Sequence, residues 1–114
     1  MRLNHVALTV SDRARSAAFY AEHFGLSDPV HDDEHLLILS GADGGLLALA
    51  SGHPPTDLGS VHFGFLATDG EEVRAARTRL RAAGVPETEW QDDGSFVRVQ
   101  VLDPDGYRIE VYAY

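Results

Sequence analysis

The chain ends on Asp103-Pro104-Asp105-Gly106-Tyr107-Arg108-Ile109-Glu110-Val111-Tyr112-Ala113-Tyr114, a tight turn that runs into a strand. Pro104 presets φ for the second turn position, Asp105 can bond its own backbone, and Gly106 takes a positive φ without steric cost. Beyond the turn, Tyr107, Ile109 and Val111 alternate with Arg108, Glu110 and Tyr112. This period of two describes a strand with one face against a core. A carboxylate at the centre of the other face, Glu110, is either solvated or held for a purpose.

Working back from that strand, the same order of elements occurs twice. Residues 3–10 alternate, with Val6, Leu8 and Val10 apolar and His5, Ala7 and Thr9 opposite them. Ser11-Asp12 supplies an N-cap. A helix over 13–24 places Ala17, Tyr20, Ala21 and Phe24 on one face, and Gly25 stops it. Residues 28–34 read as an acidic loop with an edge strand, 35–40 and 46–50 as short strands around a glycine-rich turn, and 51–60 as a Gly/Pro connector. A second strand follows at 61–67, with His62, Gly64 and Leu66 on one face. Thr68-Asp69 caps the next helix, with Glu71 in the capping-box position. Residues 71–83 turn Val73, Ala76, Leu80 and Ala83 to one side, and Gly84 ends the helix. A weak segment at 87–91 and a strand at 96–102 lead back to the terminal turn.

His62 lies 57 residues after His5, and Asp69 lies 57 after Asp12; Asp105-Gly106 follows Asp43-Gly44 by 62. Each half is strand, helix and three strands, so the chain reads as an α+β protein of two tandem βαβββ modules, 1–51 and 60–114. Neither half covers both of its faces alone. The repeat sets Ala48 in the place of Glu110.

The totals narrow the partners. A formal net charge of −9 argues against nucleic acid and anionic membrane surfaces, which call for basic protein faces. The absence of cysteine removes disulfides, thiolate nucleophiles and cysteine metal sites. No signal-peptide pattern opens the chain, and the apolar run 46–50 is far shorter than a membrane span. A cytoplasmic protein is the expectation.

His5 and His62 occupy the same position in their respective first strands, and Glu110 shares their outward parity. Two imidazoles and a carboxylate are the donor set of Fe, Mn, Zn, Ni or Co sites with open positions for a substrate. A solvated surface histidine is the competing reading of each ring taken alone. The same strand parity groups Arg98, Gln100, Arg108 and Tyr112 with Glu110. Arg98 and Arg108 could meet an anionic oxygen or be solvated or ion-paired on the strand face. Tyr112 could donate a hydrogen bond or shuttle a proton.

Asn4-His5-Val6, Ser16-Ala17-Ala18-Phe19-Tyr20 with Phe24-Gly25-Leu26, His62-Phe63-Gly64 and Leu102 through Glu110 together resemble the vicinal oxygen chelate superfamily. This superfamily includes glyoxalase I, extradiol dioxygenases, and fosfomycin- and bleomycin-resistance proteins. The resemblance implies curled mixed sheets around a cavity and a divalent metal on His5, His62 and Glu110. It implies a small oxygen-rich substrate and a homodimer sharing its cavities; Glu110, together with Tyr112 and Arg98 placed beside it by strand parity, are the expected catalytic residues. Lyase, isomerase or dioxygenase chemistry would follow. Ala48 stands where glyoxalase I-like members carry a fourth, carboxylate ligand. Ala7, Trp90 and Gln100 stand where fosfomycin thiol transferases hold the phosphonate. The alternative is a metal-free protein that sequesters bleomycin-type drugs.

Overall fold

The N-terminal alternation forms β1 (His5–Val10), whose Leu8 and Val10 are buried while His5 and Ala7 stay exposed. In the computed structural model, which describes residues 1–114, the chain falls into two compact units, Met1–Asp57 and Leu58–Tyr114.

In the first unit Asp12 accepts a hydrogen bond from the Arg15 N–H at 3.0 Å and starts α1 (Arg13–Phe24), which Gly25 closes. The buried helical residues are Ser16 and Tyr20; Ala17, Ala21 and Phe24 are only half-buried. The face against the sheet is therefore rotated from the one predicted, and Tyr20, with no exposed surface, is its anchor. Three strands follow: β2 (Asp28–Asp32), β3 (Leu37–Ser40) and β4 (Leu46–Ser51). The sheet order is β1-β4-β3-β2, with β1 and β4 parallel across the α1 crossover and the other pairs antiparallel. The acidic stretch, read as a loop with an edge strand, forms the exposed edge strand β2 over Asp28–Asp32. Its charges suit an edge that must not pair with another chain.

The second unit repeats this with β5 (His62–Leu66), α2 (Gly70–Ala82), β6 (Glu87–Asp92), β7 (Val97–Leu102) and β8 (Arg108–Ala113), in the order β5-β8-β7-β6. The capping box differs from the expectation. Asp69 accepts from the Glu72 N–H at 3.0 Å, and it is Glu72, not Glu71, that accepts in return from the Thr68 N–H. Glu71 instead pairs with Arg74. The buried face of α2 is Val73, Ala76 and Leu80, and the predicted fourth member, Ala83, is an exposed C-cap. These side chains pack on β7 and β8, where Val97, Val99, Val101, Ile109 and Val111 are buried. Removing one such aliphatic side chain from water contributes about 1.5–3 kcal/mol.

Strand pairing within each sheet shows which positions of the two halves are equivalent. Ala48 lies opposite Ala7 as Glu110 lies opposite Gly64, so the two positions are equivalent, as the sequence repeat predicts. No helix is long and apolar enough to cross a membrane.

Candidate functional site

β8 carries Glu110 at its centre, with Ile109 and Val111 buried on the opposite side. Backbone alternation alone turns the carboxylate away from α2. Gly64 lies beside it on β5, where a Cβ would come within 3.2 Å of the Glu110 carbonyl oxygen and 3.4 Å of the Tyr112 ring. Glycine lets the two strands carry both side chains without crowding.

His62 opens β5. Its Nδ1 lies 2.8 Å from the Ser60 carbonyl oxygen; a carbonyl only accepts, so Nδ1 carries the proton. Nε2 then points at Glu110 Oε2, 3.4 Å away. The ring is exposed, whereas the Glu110 side chain is only 13% exposed. Whenever the imidazole is neutral, two electron-pair donors face each other, and only a proton or another cation between them makes the contact attractive. Fixing a histidine tautomer through its other nitrogen is how proteins present an imidazole to a metal. Two such donors on one ion, each at about 2.1 Å, lie roughly 3.0–3.4 Å apart. The pair fits half of a divalent-cation site. No third His, Asp or Glu of the second unit joins it in a three-ligand group.

Arg98, on β7, donates from Nη1 to Glu110 Oε2 at 3.3 Å. Its Nη2 donates to Glu89 and its Nε to Gln91 Oε1 at 3.3 Å, both on β6. The hydrogen bond to Glu89 holds the guanidinium above its ordinary pKa, and Glu110 adds a smaller part. Strand alternation alone would not reveal these two β6 partners. A bulge between Glu87 and Glu89 breaks the pairing with β7. Glu87 accordingly pairs with Arg77 of α2, while Glu89 and Gln91 reach Arg98. Tyr112 lies opposite Arg98 in the β7–β8 pairing, with its ring against Phe96 and Tyr114. Gln100, opposite Glu110, is buried and accepts from the Thr88 hydroxyl at 3.1 Å.

Of the predicted residues, the second unit therefore gathers His62, Glu110 and Arg98 and sets Tyr112 across from Arg98. His5 belongs to the first unit. Its ring is exposed at the start of β1, with Nδ1 3.4 Å from Asn4 Oδ1, and the first sheet has Ala48 in place of a carboxylate.

Comparison with known proteins extends this picture. A model of the Glyoxalase/Bleomycin resistance protein/Dioxygenase superfamily matches residues 2–111. Glutathione transferase FosA of Serratia marcescens is 29% identical over 114 residues, 96% of this chain and 79% of that protein. The crystal structure of lactoylglutathione lyase from Agrobacterium tumefaciens superposes with a TM-score of 0.79 at 25% identity, covering 98% of this chain and 92% of that one. The fosfomycin resistance protein FosX of Listeria monocytogenes, solved with Mn(II) and sulfate, shares the fold with a TM-score of 0.84 at 20% identity, over 99% and 92% of the two chains.

Proposed function

This chain belongs to the Glyoxalase/Bleomycin resistance protein/Dioxygenase superfamily, and we propose that within it the protein is a divalent-metal-dependent enzyme acting on a small, oxygen-rich organic molecule. The observation that carries this reading is the orientation of His62, with Nδ1–H tied to Ser60 and Nε2 directed at a part-buried carboxylate oxygen. His62 and Glu110 would hold the ion. His5 is proposed as the third ligand, from the first half of the same chain or of a second copy in a homodimer. The ion, when bound, would supply Lewis-acid polarisation of adjacent substrate oxygens.

The remaining chemistry falls to the chain's own groups. Arg98 is anchored through Nη2 by Glu89 and through Nε by Gln91, so the planar guanidinium keeps Nη1 fixed beside Glu110, where an anionic substrate oxygen would meet it. Tyr112, opposite Arg98, is the proposed proton donor. Ala48 offers no fourth carboxylate, which favours addition, lyase or ring-opening chemistry over an isomerisation that needs a base at that position.

Metal binding tests the reading directly. Titration calorimetry of metal-free protein with Mn(II), Zn(II), Ni(II), Co(II) and Fe(II) should give a one-site isotherm for at least one ion. His62→Ala and Glu110→Gln should each weaken it by a hundredfold or more. An unaltered wild-type signal in both variants, or no binding at all, would rule the reading out.

A second reading is favoured by the Arg98–Glu110 contact, because a carboxylate already neutralised by arginine calls for no metal. In that case the protein sequesters a cationic drug without turning it over. Thermal stabilisation by a bleomycin-type glycopeptide, unaffected by metals and by Glu110→Gln, would select it.

A further inference from the structure

The turn before β5 uses three successive carbonyls in three ways. Leu58 O accepts from the Val61 N–H at 3.0 Å, closing a turn in which Gly59 takes φ 55°. Ser60 O accepts from His62 Nδ1. Gly59 O, between them, accepts from the Arg108 guanidinium, reaching over from β8. Arg108 is also the residue paired with His62 across the parallel β5–β8 ladder. The arginine therefore stands beside the imidazole and grips the carbonyl one peptide before the one that orients the ring.

We infer that Arg108 is a positioning residue for His62. By pinning Gly59 O it fixes the Gly59–Ser60 segment, and the Ser60 carbonyl then holds the ring in the Nδ1–H tautomer with Nε2 toward Glu110. The first unit is the internal control. There the residue paired with the first-strand histidine is Leu46, which has no donor to offer. His5 has only the side chain of its neighbour Asn4 near Nδ1, at 3.4 Å. His62 faces a backbone carbonyl, which can only accept; His5 has a longer contact to an exposed amide, which can turn either its oxygen or its N–H to the ring. A carbonyl free to rotate by tens of degrees would lose its aim at Nδ1, because hydrogen bonds weaken steeply away from linearity. Leu58 O holds the N–H end of the Ser60–Val61 peptide, and the guanidinium, with a charge-assisted bond, holds the peptide before it, so that together they limit that rotation.

The tautomer claim stands without any metal; only its consequence for affinity rests on the proposed function. The test is long-range nitrogen–proton NMR of metal-free protein, at a pH about two units above the ordinary histidine value of about 6.5. In the wild type His62 should be mainly the Nδ1–H form and His5 should not. Arg108→Gln should move His62 toward Nε2–H and leave His5 unchanged, and Arg108→Lys should restore the wild-type pattern in part. Gly59→Ala disturbs the same turn through its positive φ and should shift His62 in the same direction. Metal affinity should fall by about tenfold in Arg108→Gln, the low end for losing an outer-sphere partner. An unchanged His62 tautomer in folded Arg108→Gln and Gly59→Ala overturns the inference. A shifted tautomer in a protein that binds no ion would uphold it while removing the metalloenzyme reading.

Discussion

Glu110 Oε2 is claimed from two sides, by Arg98 at 3.3 Å and by His62 at 3.4 Å. A divalent ion arriving at that oxygen would meet a guanidinium already there. Unit charges about 4 Å apart interact by about 4 kcal/mol at an effective dielectric of 20, and exposure of the site reduces this further. Arg98→Gln should therefore tighten binding of Mn(II) or Zn(II) by about tenfold, or about 1.4 kcal/mol, while weakening capture of anionic substrates. Calorimetry on both proteins checks it. A looser metal in the variant would mean that Arg98 orders the carboxylate more than it competes for it. At this scale the parity of β7 and β8 was enough to put Arg98, Glu110 and Tyr112 on one face. The Glu89–Gln91 anchor was not legible, because the register that sets Gln91 opposite Arg98 follows a bulge between Glu87 and Glu89 that local alternation does not show.

Among elements, the turn between β7 and β8 shows how closely a motif can be read and still be misassigned. Gly106 does take positive φ, at 89°, but Asp105 is not the residue that organises the loop. Asp103 is: its buried carboxylate accepts from the Asp105 and Tyr107 N–H groups, both at 2.9 Å. Its own N–H donates to Tyr107 O, and its carbonyl accepts from Gly106. Asp103→Ala leaves a buried and a part-buried donor without their partner, so it should cost about 2–3 kcal/mol in urea unfolding. Asp103→Asn, which keeps an acceptor oxygen, should lose about 1 kcal/mol. In the first unit the equivalent position is Gly41, where a Cβ would come within 3.1 Å of Leu26 Cδ2. A side chain at that position would press on Leu26. The two βββ hairpins share a further device. Asp33 accepts from the His35 and Leu36 N–H groups, and Asp93 accepts from those of Ser95 and Phe96. This pair, 60 residues apart, is a third mark of the repeat beside the 57- and 62-residue spacings.

Across the whole molecule those carboxylates set the response to acid. Backbone hydrogen bonds hold Asp33 down from 3.8 to about 2 and also lower Asp93, while arginine partners lower Asp92 and Glu87. Each folded value lies below the unfolded one, so in between the unfolded chain binds more protons and stability rises with pH. Stability should therefore be complete above the ordinary carboxylate range and fall as the pH drops from about 4 toward about 2. Asp93→Asn should flatten that decline in denaturation curves recorded across the range; an identical slope would show that the turn aspartates do not carry it. By itself, the sequence determined the doubled strand–helix–three-strand order, the equivalence of Ala48 with Glu110 and the outward facing of the two histidines. All of these follow from local periodicity and from the spacing of repeated residues. Tertiary structure alone decided that Arg98 is held by β6 and that Arg108 reaches back to Gly59. Those contacts join residues distant in the chain, and which of them meet depends on bulges and pairing offsets that no single stretch of sequence encodes.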